Sequence, residues 1–100
     1  MPAPQEVEQL REALRAQLPL LAERFGVASL GLFGSYVRRE ARADSDLDVL
    51  VRFHQTPGLL RFVELEDYLS DLLGVRVDLV MPEALRPRIG RRVMEEVLPV

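Results

Sequence analysis

Gly34-Ser35-Tyr36-Val37-Arg38-Arg39-Glu40-Ala41-Arg42-Ala43-Asp44-Ser45-Asp46-Leu47-Asp48-Val49-Leu50-Val51 is the stretch on which the fold of this chain turns. From Asp46 to Phe53 the residues alternate. Leu47, Val49 and Val51 fall on one side, and Asp46, Asp48 and Leu50 on the other, which predicts a strand whose beginning carries two acids on one face. The two Cα atoms are then roughly 6.5–7 Å apart, so both carboxylates can lean onto one ion or a close pair of ions. Like charges on an apolar strand are costly unless something neutralises them. A hard divalent cation, Mg²⁺ or Mn²⁺, suits oxygen ligands of this kind.

Upstream, Ala28 to Phe33 predicts a short buried strand that Gly34-Ser35 breaks, opening a short helix or turn over Tyr36 to Ala41. Gly34 lets the backbone approach a ligand closely. The amides at the start of that following helix, with the Ser35 hydroxyl, are placed to hold phosphate oxygens. Downstream, Val75 to Val80 predicts a third strand, Val75, Val77 and Leu79 alternating with Arg76, Asp78 and Val80, with Asp78 expected to look inward. If the second and third strands are neighbours in register, three carboxylates meet on one face. That is enough for two metal ions about 3.5–4 Å apart, the arrangement that stabilises attacking and leaving oxygens in nucleotidyl transfer. Alone, a Gly-Ser pair is a turn, an Asp-x-Asp pair a solvated strand edge and a single aspartate a cap. Occurring in order on strands that are otherwise Val and Leu, they point to a nucleoside triphosphate with its metals.

Other polar residues carry less. Arg38, Arg39 and Arg42 form a basic patch after the Gly-Ser turn, suited to triphosphate contact, to partner docking or to a solvated face balanced by Glu40 and Asp44. Arg86, Arg88, Arg91 and Arg92 form a second cluster with no interleaved aromatics, unlike a single-strand nucleic-acid platform. Tyr36 is a candidate to stack on a base. His54 falls in a predicted turn.

The rest of the chain supplies helices. Val7, Leu10, Leu14, Leu18 and Leu21 recur at helical spacing, with Pro19 expected to kink or restart the helix. Leu59 to Leu73 predicts a helix with a wide apolar face of Leu59, Phe62, Val63, Leu65, Tyr68, Leu69, Leu72 and Leu73. A helical tail starts at Pro82, is interrupted at Pro87, and has the stripe Ile89, Val93, Met94, Val97 and Leu98. Its apolar end fits either its own sheet or a partner. The expected fold class is α/β (α+β): one domain over residues 1–100, a small mixed sheet of about three strands with helices packed on it.

Composition narrows the chemistry. A chain of 100 residues, 48% hydrophobic and 29% charged, is a folded single domain and not a disordered one. It has no cysteine and one histidine, which removes thiol catalysis, Cys-ligated metals and His-rich zinc sites. Its basic residues are all arginine, so Schiff-base and P-loop lysine chemistry are absent too. A net charge of −3 gives no bulk field for nucleic acid, and none is expected to bind directly. No apolar run approaches a membrane span, and Met1-Pro2-Ala3-Pro4 leads into an acidic helix, not a secretory signal. No membrane association and a cytoplasmic location are expected.

Gly34-Ser35, followed by Asp46-x-Asp48 within Asp44-Ser45-Asp46-Leu47-Asp48-Val49-Leu50-Val51, resembles the signature of the polymerase-beta-like nucleotidyltransferases. The small size, Val77-Asp78-Leu79-Val80 and the tail Pro82-Glu83-Ala84-Leu85-Arg86-Pro87-Arg88-Ile89 resemble the minimal nucleotidyltransferase (MNT) subgroup. One departure is Arg39, where many members have glycine. The resemblance implies that Asp46, Asp48 and Asp78 hold the metals, two Mg²⁺ ions or Mn²⁺ in their place, with Asp78 as a base toward the incoming hydroxyl. It implies that Gly34 and Ser35 hold the triphosphate; Arg38 and Arg39, from their place in the basic patch after the turn, are the further candidates for contact with it. It further implies transfer of a nucleoside monophosphate, AMP from ATP, with loss of pyrophosphate. The implied acceptor is a hydroxyl of a HEPN-domain ribonuclease toxin, bound as a hetero-oligomer, with this chain as antitoxin. Two other readings stay open: a non-catalytic antitoxin that neutralises its partner by binding, and a transferase acting on a small molecule or RNA.

Overall fold

The computed structural model describes residues 6–100. The reading of Met1-Pro2-Ala3-Pro4 lies outside them. Helix α1 (Val7–Phe25) leads into strand β1 (Val27–Phe33), and a loop returns the chain as β2 (Leu47–Phe53). Helix α2 (Leu59–Leu73) crosses over to β3 (Val77–Val80). A 3₁₀ turn (Pro82–Ala84), helix α3 (Pro87–Glu96) and a short β4 (Leu98–Pro99) complete the chain. The sheet order is β3-β2-β1-β4. β1 pairs antiparallel with β2 and β4, while β2 pairs parallel with β3. The parallel pair is what the intervening helix α2 makes accessible, since parallel neighbours need a long crossover.

Alternation in the strands decides which side is buried. Leu30 and Leu32 of β1, Val49 and Val51 of β2, and Val77 and Leu79 of β3 are buried. They join one core with Leu10, Leu14, Leu21 and Phe25 of α1 and Leu65, Leu69 and Leu73 of α2. Removing side chains of this kind from water contributes about 1.5–3 kcal/mol each, which makes this face the main support of the fold. Among the described residues no helix is long and apolar enough to cross a membrane.

Several local expectations are corrected. α1 continues through Pro19 as one element. Pro19 is exposed, so the carbonyl it leaves without an amide partner can be solvated, while buried Leu14 and Leu21 hold the helix on both sides. Of the short helix or turn expected after Gly34, the structure has the turn. It is a single turn, closed by Arg38 N–H donating to the Gly34 carbonyl (3.1 Å) and Glu40 N–H to the Ser35 carbonyl (2.8 Å). The apolar face of α2 is narrower than its sequence suggests, with Leu59 78% exposed and Val63 and Leu72 also at the surface.

The sheet has four strands, not three, because the tail leaves its helix at Glu96. Val97 and Leu98, which fit the helical stripe, are extended instead. Pro99 disfavours the α conformation at the residue before it, and Leu98 pairs with Leu32. The apolar end therefore completes the chain's own sheet. Gly31 permits this crossing: a Cβ there would stand 2.5 Å from Val97 Cγ2.

Candidate active site

The site forms on the sheet face opposite the α1–α2 core, at the end of β1. Gly34 has φ +83°, a left-handed conformation that side chains resist. Its neighbour in the ladder, Phe33, pairs with Asp48. The Asp48 carboxylate consequently packs directly against Gly34: a Cβ on that residue would fall 2.0 Å from Asp48 Oδ2 and 2.9 Å from its Cγ. Glycine is required here by space and by backbone conformation together.

Asp48 is also paired in register with Asp78 across the parallel β2–β3 ladder, which puts both side chains on one face. Burial pushes the Asp48 carboxyl up to about 6; the Asp78 charge and a hydrogen bond to Asp78 add to this, as does the Asp46 charge, while Arg38 opposes them. A half-buried carboxylate held beside a second one is a donor set suited to a hard divalent cation.

The expected meeting of three carboxylates is realised for two of them. Asp46 precedes the first ladder residue of β2, and its Oδ1 stands 3.7 Å from the Arg76 guanidinium in an exposed ion pair. Among the described residues no three acidic or histidine side chains form a ready ion cage. Asp78 is exposed and not inward-looking, because Val77 and Leu79 of the same strand turn to the core and leave it on the opposite face. It shares the Asp48 face.

A cleft of about 280 Å³ opens beside this pair, lined by Phe33, Gly34, Arg38, Asp48, Ile89, Arg92, Val93 and Glu96. Gly34, Arg38 and Asp48 of the expected site residues line it. Ser35, Arg39, Asp46 and Asp78 do not. Ser35 sits in the turn with its carbonyl used by Glu40. Arg39 is exposed and has φ +60°, the only non-glycine with positive φ among the described residues. A left-handed backbone at this position is one that glycine adopts more readily than arginine. Tyr36 is 5% exposed and belongs to the core, so it is not available to stack on a base. Burial, followed by the Asp46 charge, raises its hydroxyl above the usual range.

The α3 wall was not foreseen. Ile89, Arg92, Val93 and Glu96 follow the spacing i, i+3, i+4, i+7, the signature of one helix face, and that spacing was the signal available. Glu96 matters most. Gly34 N–H donates to its Oε2 (2.7 Å) and Arg38 Nη1 to its Oε1 (2.9 Å). Burial alone would raise the Glu96 carboxyl. The Gly34 bond, the Arg38 bond and the charges of Arg38 and Arg92 more than offset this and hold it below the usual carboxylate value.

Comparison with known proteins agrees with this arrangement. Residues 7–100 match the family described as the nucleotidyltransferase domain. Protein adenylyltransferase MntA of Thermococcus cleftensis is 52% identical over 94 residues, covering 94% of this chain and 95% of its own. A solved structure assigned to the minimal nucleotidyltransferases superposes with a TM-score of 0.80 at 43% identity, covering 96% and 97% of the two chains. At 23% identity, which speaks to the fold alone, a complex of tri-AMPylated Shewanella oneidensis HEPN toxin with MNT antitoxin gives a TM-score of 0.59 over 92% of this chain and 66% of that one. An acid pair abreast on β2 and β3, a glycine turn pressed against it and a match spanning nearly every residue lead to one assignment: the chain belongs to the nucleotidyltransferase family.

Proposed function

We propose that this chain is a metal-dependent protein adenylyltransferase that moves AMP from ATP to a hydroxyl of a partner protein, a HEPN-domain toxin, which it neutralises as a cytoplasmic antitoxin. The observation that carries the reading is Asp48, wedged between Gly34 and Asp78 with its carboxyl raised to about 6. An inert scaffold gains nothing from a charge kept at such a cost. The 52% identical relative named a protein adenylyltransferase supports the choice of acceptor class.

In this reading Asp48 and Asp78, with Asp46 at the strand's start, hold Mg²⁺, and Mn²⁺ fits the same oxygen set. When bound, the ions supply charge neutralisation for the triphosphate and the departing pyrophosphate. The chain's own groups do the rest. Gly34 N–H and the Arg38 guanidinium hold phosphate oxygens, with Ser35 and Arg39 flanking the turn. Asp78, exposed at the sheet edge, takes the proton from the acceptor hydroxyl. The hydroxyl oxygen bonds to the α-phosphorus, the bond from that phosphorus to the bridging oxygen breaks, and pyrophosphate leaves. The acceptor's own surface completes the site beside the exposed Asp78.

The test is incubation of the purified chain with α-labelled ATP, Mg²⁺ and its HEPN partner. Label moving to the partner, and lost in a folded Asp48→Asn variant, is the expected result. Full neutralisation by that variant without any label would favour a binding-only antitoxin. Label on RNA or a small molecule in the partner's absence would replace the protein acceptor.

A further inference from the structure

Two of the donors that the proposed reaction needs for phosphate, the Gly34 N–H and one N–H of Arg38, are already in use. Gly34 N–H and the Arg38 guanidinium both bond the carboxylate of Glu96, one oxygen each, at 2.7 and 2.9 Å. The Nε of Arg38 is held by Glu40 at 3.1 Å. A carboxylate and a phosphoryl oxygen are both anionic acceptors, and two anions compete for one N–H because their charges repel at that spacing. We propose that Glu96 is a gate on the nucleotide site: its carboxylate occupies the Gly34 N–H and one N–H of Arg38, and a nucleoside triphosphate engages those two donors only by displacing it. This rests on the adenylyltransferase reading and adds to it how the site is closed.

The gate is built into the fold and is not a stray side chain. Glu96 ends α3, and everything after it is tied down. Val97 packs onto Gly31, and Leu98 pairs with Leu32. Val100 N–H donates to the Leu30 carbonyl (3.0 Å). Arg11 and Arg15 of α1 hold the Pro99 and Val100 carbonyls at 2.7 and 3.0 Å. With this anchor the backbone at Glu96 stays beside β1, and its side-chain torsions are the cheap motion left. Displacement therefore breaks two charge-assisted hydrogen bonds. The nucleotide's own bonds to the same donors recover part of that cost, leaving a penalty on the order of tenfold in affinity.

The experiment is calorimetric titration of the full chain with α,β-methylene-ATP, which cannot transfer AMP, in the presence of Mg²⁺. Wild type, Glu96→Ala, Glu96→Gln and Glu95→Ala are compared. Glu95 is exposed one residue away and serves as the control for net charge. The expected result is binding about tenfold tighter in Glu96→Ala, a smaller gain in Glu96→Gln, and a change under about twofold in Glu95→Ala. Glu96→Gln keeps the size of the side chain and carries the test if the alanine variant does not fold. Affinity unchanged or weaker in both Glu96 variants, or an equal gain in Glu95→Ala, overturns the gate and leaves the adenylyltransferase reading standing. No binding by any of the four proteins overturns both.

Discussion

On one face of the sheet Leu30, Leu32, Val49, Val51, Val77 and Leu79 are buried against α1 and α2. On the other, the same strands carry Phe33, Asp48 and Asp78 beside an open cleft. The first face is apolar throughout, and every group on it gains from being there. The second holds a carboxyl pushed up to about 6 by burial and a neighbouring acid and a glycine with no room for one more carbon. It ends in a turn with Arg39 at φ +60°. One face maximises stability and the other sacrifices some of it to hold charge in place.

That contrast can be broken most sharply at Asp48. Asp48→Asn is expected to lower adenylyl transfer by about a thousandfold, the scale of losing a main electrostatic group at a phosphoryl site. The same change should not destabilise the fold. Because the folded carboxyl titrates at about 6 against an ordinary 3.8, the unfolded chain releases its proton first as pH rises. The stability contribution of Asp48 falls through the window between those values, and its cost is full above 6. Allowing for solvent screening of a half-buried group, Asp48→Asn recovers about 1 kcal/mol at pH 7 and nothing near pH 3. Thermal melts at the two pH values check this.

Leu32 provides the opposite case. Fully buried in the centre of the sheet, its truncation to alanine is expected to cost about 2–5 kcal/mol, measured by denaturant unfolding. Nucleotide affinity in the remaining folded protein should stay within about twofold, since a core cavity changes no charge at the cleft. Gly34→Ala should do both kinds of harm: about 1–3 kcal/mol from the left-handed backbone, together with loss of nucleotide binding as Asp48 is pushed aside. If Gly34→Ala lost stability but bound nucleotide normally, the glycine would be serving the turn alone.

The smallest expected effect is at Arg39. Arg39→Gly relieves a side chain held at φ +60° and adds freedom to the unfolded chain, so the net gain is about 0–1 kcal/mol. Its melting temperature should rise slightly or stay level, with transfer activity within a few-fold of wild type.

How much of this was legible follows from which signals are local. Period-two alternation located the strand bearing Asp46 and Asp48 and the one bearing Asp78 to within one or two residues. Gly34 stood out because a glycine ends a strand there. The register that sets Asp48 abreast of Asp78 is a long-range fact, and alternation alone leaves it open. Val97 and Leu98 fit a helical stripe as well as a strand, and only Pro99 tips them toward extended backbone. Missing β4 meant missing the anchor that brings Glu96 to Gly34, because that contact spans 62 residues. Tyr36, which its place after Ser35 makes a candidate to stack on a base, is folded by the turn into the core.

The central claim is that the Asp48–Asp78 pair is a cation site serving a nucleotide. Its most direct test is a carbon-detected NMR titration of the Asp48 carboxyl, without and with Mg²⁺ and α,β-methylene-ATP. The account predicts a midpoint at about 6 for the chain alone, falling by at least about two units when both are added, as an adjacent cation favours the ionised form. A midpoint that does not move when they are added would contradict it.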